Sequence, residues 1–107
     1  MNAVVASIPT LMIEHRKVDV FRHRATFTNP NGDAINIDSL DPAMLIYKGQ
    51  TLLVTIEDED WTKSLNQTSA EKAASFFAAM DCFTKYRYRF YDRAQNQTIY
   101  EGPFKII

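Results

Sequence analysis

The chain has one cysteine, Cys82, so no disulfide can close within it. A disulfide-stapled scaffold is excluded, and a reducing setting is the simpler reading. Glycine is scarce, three in 107 residues, and proline is limited to four. Collagen-like and linker-like compositions are thereby excluded. Neither sign of charge dominates: 12 basic against 13 acidic side chains leave a net charge of −1. A strongly basic footprint is missing, so no nucleic-acid partner is expected. No apolar run approaches the roughly 20 residues that a membrane-spanning helix needs. Residues 1–10 carry no basic segment ahead of their apolar ones. Neither a membrane partner nor a cleaved leader is expected.

What the chain does have is apolar and aromatic mass. Hydrophobic residues make up 46% and aromatic ones 12%, with seven Phe, five Tyr and one Trp. At this length that is one domain, and its rings are enough to dominate a small core. Residues 1–10 read as an N-terminal arm, with 11–107 as the domain. Pro9 interrupts the arm. Val4, Val5 and Ile8 either tie it to a partner or form an extra edge strand of the same domain.

Hydrophobic periodicity supplies the elements. Residues 11–14 form a short candidate strand. Across 18–28, Phe21, Ala25 and Phe27 fall on one parity with His23 between them, and Arg22, Arg24 and Thr26 fall on the other. Asn29-Pro30-Asn31-Gly32-Asp33 is a turn signal, so 34–37 is expected to return as a hairpin. Residues 44–48 and 51–56 are apolar strands. The acids Glu57-Asp58-Glu59-Asp60 follow, with Trp61 in the loop beyond them. Residues 68–80 read as a helix. Thr68 is the N-cap, Glu71 stands at capping-box spacing, and Ala73, Phe76, Phe77 and Met80 share a face. Residues 83–91 give the most regular alternation, Tyr86, Tyr88 and Phe90 against Lys85, Arg87 and Arg89. Residues 98–100 and 103–107 close the chain, with Gly102 at a bulge or bend between them. About seven strands and one short helix make an all-β antiparallel sandwich.

Four segments, in order, resemble a known group. They are Val18-Asp19-Val20-Phe21-Arg22-His23-Arg24-Ala25-Thr26-Phe27, then Asn29-Pro30-Asn31-Gly32-Asp33-Ala34-Ile35-Asn36-Ile37, then Ser69-Ala70-Glu71-Lys72-Ala73-Ala74, then Tyr86-Arg87-Tyr88-Arg89-Phe90-Tyr91 with Tyr100-Glu101-Gly102-Pro103-Phe104-Lys105-Ile106. Together they are similar to small immunoglobulin-like proteins of tailed phages and prophages, such as the N-terminal domain of baseplate upper proteins. Val18 stands where that group's turn has Gly, and residues 79–84 lack its usual Pro-Gly. The resemblance implies an immunoglobulin-like β-sandwich in a virion, assembled in the bacterial cytoplasm, with no catalytic residues and no cofactor.

Few residues point to a site. Lys85, Arg87 and Arg89 line one face of a strand, and Arg22 and Arg24 line another. A solvated outer face is the plain reading, and an acidic protein partner is the functional one. Glu57-Asp58-Glu59-Asp60, with Asp38 and Asp41, offers hard oxygen atoms but no EF-hand spacing, so no metal is assigned. His15 and His23 lack evident partners for catalysis, and His23 reads as a hydrogen-bonded residue at the core edge. Cys82 reads as a buried thiol. Tyr86, Tyr88 and Phe90 fall inward and Tyr91 outward. Trp61 either pins its loop to the core or anchors an interface. Asn66-Gln67-Thr68 and Asn96-Gln97-Thr98 match the N-glycosylation pattern, which is short enough to arise by chance.

The expectation is a non-enzymatic assembly module of a tailed-phage or prophage particle, in the tail or baseplate. It would dock on other virion proteins and self-associate in a symmetric array. The residues expected to bind partners are Val4, Val5, Ile8, Trp61, Arg87, Arg89 and Tyr91. A capsid decoration protein, or a soluble phage-encoded binding or inhibitor protein acting on a host protein, stands beside it.

Overall fold

A computed structural model describes residues 10–107. The arm residues Val4, Val5 and Ile8 lie outside the described residues. Eight strands follow in order: β1 (Ile13–His15), β2 (Phe21–Thr26), β3 (Pro42–Lys48), β4 (Thr51–Ile56), β5 (Trp61–Ser64), β6 (Gln67–Lys72), β7 (Tyr86–Asp92) and β8 (Gln97–Ile106). Short 3-10 turns, Asp58–Asp60 and Ala74–Phe77, lie before β5 and after β6.

The strands form two sheets, one ordered β1-β8-β7-β3-β4 and the other β2-β6-β5. β1 runs parallel to β8, and the remaining pairs are antiparallel. The alternation of β7 shows why the layers close. Tyr86, Tyr88 and Phe90 point inward and are buried, while Arg87 stays in solvent. Met44, Ile46 and Ile56 join them from the same sheet, and Phe21, Ala25, Trp61 and Ala70 face them from the smaller one. Each large side chain removed from water contributes about 1.5–3 kcal/mol.

The fold is an immunoglobulin-like β-sandwich. Its sheets match the two-sheet order of such domains, with β1 and β4 extending the larger sheet. The Tyr86 hydroxyl accepts the backbone N–H of Asp81 just upstream, at 3.0 Å. That is the tyrosine corner of these domains. Two residues on, where antibody domains carry the second cysteine of their inter-sheet disulfide, stands the fully buried Tyr88. Ring packing therefore occupies the centre, where Tyr88 meets Tyr100 edge-on at 6.1 Å.

Several expectations are corrected. The expected helix over 68–80 is instead β6 followed by the 3-10 turn. A capping box contributes only about 1 kcal/mol. The strand conformation pairs six residues with β2 and buries Thr68 and Ala70. The 3-10 turn still delivers Phe77 to the core and Met80 follows just beyond it, so both apolar side chains are buried without an α-helix. The strands number eight among the described residues: 61–64 and 67–72 are added, while 98–100 and 103–107 join into one strand with an irregularity beside Tyr91. The hairpin return over 34–37 reduces to an isolated bridge between Thr28 and Ala34. Cys82 is exposed rather than buried, since it follows β6 in a turn segment outside both sheets.

Candidate protein-binding face

Strand pairing decides which outward side chains become neighbours. Across β3 and β7, Tyr47 lies opposite Arg87, Leu45 opposite Arg89 and Ala43 opposite Tyr91. Across β7 and β8, Arg89 lies opposite Glu101 and Tyr91 opposite Thr98. On the far side of β3, Leu52 of β4 lies opposite Tyr47. The outer face of the larger sheet therefore gathers Tyr47, Leu52, Arg87, Arg89 and Tyr91 from strands distant in sequence. Tyr47, Gln50, Arg87 and Arg89 line a shallow cleft on it.

Arg89 is the best held of these residues. Its Nε donates to Thr98 Oγ1 at 2.9 Å, and its Nη1 lies 3.4 Å from the Tyr47 hydroxyl. Its guanidinium stacks over the Tyr91 ring, 5.0 Å from the centroid. Among the described residues no carboxylate comes within ion-pair distance of it. Glu101 leans to Arg87 instead, at 3.9 Å. Lys85 precedes β7 and is exposed.

The other basic stripe lies elsewhere. Arg22 and Arg24 belong to β2, on the outer face of the smaller sheet, where Arg22 bonds Glu71 at 3.1 Å. The sandwich thus keeps the two stripes on opposite faces. Trp61 is also placed differently from its expected loop. It opens β5 with 8% of its surface exposed, donates Nε1–H to Ile56 O and meets the Phe90 ring edge-on. It pins the chain after the acids to the core and offers no ring to a partner.

The acidic run is tied down locally. Glu57 takes Arg93 at 3.1 Å, and Asp60 takes Lys72 at 3.1 Å. Desolvation, a hydrogen bond with Asp58 and the Asp58 charge push the Asp41 carboxyl above its ordinary range. Among the described residues no three His, Cys, Asp or Glu side chains converge as metal ligands. His15 is buried among Phe21, Phe77 and Phe104, and its Nε2 has no hydrogen-bond partner. Desolvation lowers its pKa against the raising effect of Asp19. His23 Nε2 lies 2.6 Å from the Tyr100 hydroxyl. Burial lowers the His23 pKa and raises that of Tyr100, so both stay neutral at pH 7. Burial likewise pushes the Tyr88 hydroxyl up to about 12.

Tyr47, Leu52 and Thr98 were missed in the sequence. Tyr47 carried a signal, since it shares parity with Leu45 on a strand whose other parity is buried. Thr98 carried none, because its place beside Arg89 depends on the irregular β7–β8 register.

The chain matches no family model, and no curated protein matches it. Among solved structures it is similar to the extracellular domain of mouse leukocyte-associated immunoglobulin-like receptor 1, described as a strand-swapped dimer. That match has 7% identity, 100% of this chain and 99% of that one covered, and a TM-score of 0.49. The NK cell receptor Nkp44 gives 11% identity, 92% and 96% coverage, and 0.42. The ZIG-8–RIG-5 IG1–IG1 heterodimer gives 12% identity, 100% and 90% coverage, and 0.40. None of the three assigns a ligand to this chain.

Proposed function

We propose that the chain is a non-enzymatic protein-interaction module that docks through the outer face of its larger sheet. Arg89 carries this reading. Its guanidinium is already ordered by Thr98, Tyr47 and Tyr91, and no acid among the described residues neutralises it. An ordered side chain loses little further freedom on binding. Arginine between tyrosines is also the composition that dominates binding energy at protein interfaces. The partner chemistry that fits is a carboxylate flanked by apolar side chains, taken by the guanidinium fork and the rings.

The setting we propose is a tailed-phage or prophage particle, in the tail or baseplate, with neighbouring virion proteins as partners. Its support is the ordered resemblance of the four segments. Many copies in a symmetric array make weak single contacts sufficient.

Gradient sedimentation of an induced lysate of the source cells tests both parts. The wild-type chain is expected to travel with particles through a high-salt wash. Arg89→Glu, folded by circular dichroism, is expected in the light fractions. Wild type confined to the light fractions would remove the virion setting. Arg89→Glu travelling with particles as wild type does would remove the docking face.

A further inference from the structure

The two most exposed large apolar side chains among the described residues stand at opposite ends of the sandwich: Phe83 is 92% exposed and Leu65 83%. β7 runs from one end to the other, Tyr86 to Asp92. At roughly 3.3 Å per residue the two ends lie about 20 Å apart, farther than charge acts through salt water. Phe83 precedes β7 at the first end. Leu65 lies at the second, where nearby Lys63 reaches the carbonyls of Asp38 and Leu40, and β3 then begins opposite Asp92. Both side chains are held in place. Asp81 Oδ1 accepts the backbone N–H groups of Phe83 at 2.9 Å and Thr84 at 2.8 Å, so the loop fixes the backbone that carries the ring. Leu65 and Asn66 form the two-residue turn between β5 and β6, with Leu65 in the left-handed region at φ 56°. That conformation suits Gly or Asn, so a leucine there is both strained and wet. Phe27 fastens the turn twice: its N–H donates to Asn66 O at 2.8 Å, and its O accepts from Asn66 Nδ2 at 3.0 Å. Neither Phe83 nor Leu65 belongs to the core of its own chain.

The charges around them say what each end fits. Beside Phe83 an open, mainly apolar cleft lies between the 82–84 loop and Pro103, and its cations are Lys85, Arg87 and Lys105. Lys85 and Lys105 are exposed and form no ion pair among the described residues, and Glu14 lies opposite Lys105 on β1 without pairing to it. The Asp81 carboxylate is taken up by the N–H groups of its own loop. Beside Leu65 a shallow cleft holds Ala34, Ile35 and Asp38. Asp38, and Asp33 next to Ala34, are exposed and form no ion pair among the described residues. The ammonium of Lys63 is held by the two backbone carbonyls. One end thus offers an apolar cleft with cations, and the other a projecting leucine with carboxylates. Two copies meeting by like ends would set cation against cation or acid against acid.

We propose that copies of this chain associate head to tail, with Leu65 of one copy entering the cleft beside Phe83 of the next. Apolar contact supplies the attraction, and Lys85 and Lys105 facing Asp33 and Asp38 of the neighbour fix its direction. Such an interface is heterologous, so every pair keeps one free end of each kind and growth continues past two copies. The ends are small surfaces, so each contact is weak and concentration-dependent. Arg89 lies at the middle of β7 on the outer sheet face, so head-to-tail contact does not rest on that docking face.

Sedimentation velocity over a concentration series tests this. The wild-type chain is expected to pass from monomer to species larger than a dimer, and added salt to shift it back. Leu65→Asn places a residue that suits the turn, so its melting temperature should equal or exceed that of wild type. Phe83→Ser changes a side chain that stands in water, so its fold persists as well. Each variant is expected to weaken association at least tenfold. Each spoils one end and keeps the other, so an equimolar mixture of the two is expected to recover a dimer and nothing larger. A wild type that stays monomeric throughout would overturn the proposal and leave both ends to a different partner. So would a wild type that stops at a dimer, a folded variant that associates normally, or a mixture no better than its parts. Arg89→Glu is expected to associate as wild type does. Its failure to do so would show that copies meet through the sheet face, and would also overturn the proposal. A monomeric chain can still dock through Arg89, so the two readings fail separately.

Discussion

The Tyr88 hydroxyl donates to the backbone carbonyl of Leu11 at 2.7 Å, across the edge of the larger sheet. The approach is possible because Gly102, opposite Tyr88 on β8, has no side chain. A Cβ there would collide with the Leu11 carbonyl, whose carbon would lie at 2.8 Å. The chain leading into β1 is thus seated over a glycine and fastened by a buried tyrosine.

Gly102→Ala is therefore expected to cost about 3 kcal/mol, the upper end for forcing atoms into packed space, because the obstacle is backbone and cannot swing away. Tyr88→Phe leaves the ring and removes one hydrogen bond, a loss of about 1 kcal/mol. Both act on Leu11, so the double variant should lose less than the summed single losses. Urea unfolding measures all three. Gly102→Ala with wild-type stability would mean that Leu11 is free to move away at no cost.

The sandwich was legible where alternation was strong. β7 announced its inward rings and outward arginines because one face meets the core and the other meets water. Residues 67–72 misled because Thr-Ser-Ala-Glu-Lys suits a capped helix locally. Only pairing with β2, some 45 residues upstream, favours a strand, and no local window contains that partner. Trp61 misled for a similar reason. The acids before it look like a loop, yet a single 3-10 turn delivers the indole to Phe90. Of the docking face, Arg87, Arg89 and Tyr91 were readable from one strand. Tyr47 showed its outward parity on β3, but its place beside Arg89, like that of Thr98, comes from register across three strands.

Acid should weaken the fold before the carboxylates titrate. Desolvation lowers the pKa of both His15 and His23 from 6.5. Above pH 6.5 both are neutral in the folded and unfolded chain, and stability is full. Below 6.5 the unfolded chain takes up protons that the folded chain resists, so stability falls until the lowered folded values are passed. The urea midpoint should drop between pH 7.5 and 5. His15→Leu should reduce that drop without abolishing it, because His23 still titrates. An equal drop in the variant would remove His15 from the account.

Trp61→Phe should report on the core. It loses the bond to Ile56 O and part of the packing on Phe90, which is expected to cost about 1–2 kcal/mol. Trp61→Ala should cost about 3–5 kcal/mol, in the range for a buried aromatic ring. Thermal unfolding decides between this and a surface anchor, which would leave the melting temperature within a degree or two of wild type.

Charge and shape at the docking face separate in two lysine substitutions. Arg89→Lys keeps the positive charge but loses the fork that reaches Thr98 and Tyr47 together, and it loses the planar stack on Tyr91. Arg87→Lys gives up little, since Arg87 is largely in solvent and only 3.9 Å from its acid. Neither change touches the buried face, so the melting temperature should stay near wild type. If the face docks through an ordered guanidinium, Arg89→Lys should cut the particle-associated fraction at least tenfold, while Arg87→Lys leaves it within about twofold. Equal retention of both variants would mean that the face contributes only net charge. In that case the association of the wild type should itself dissolve as salt is raised.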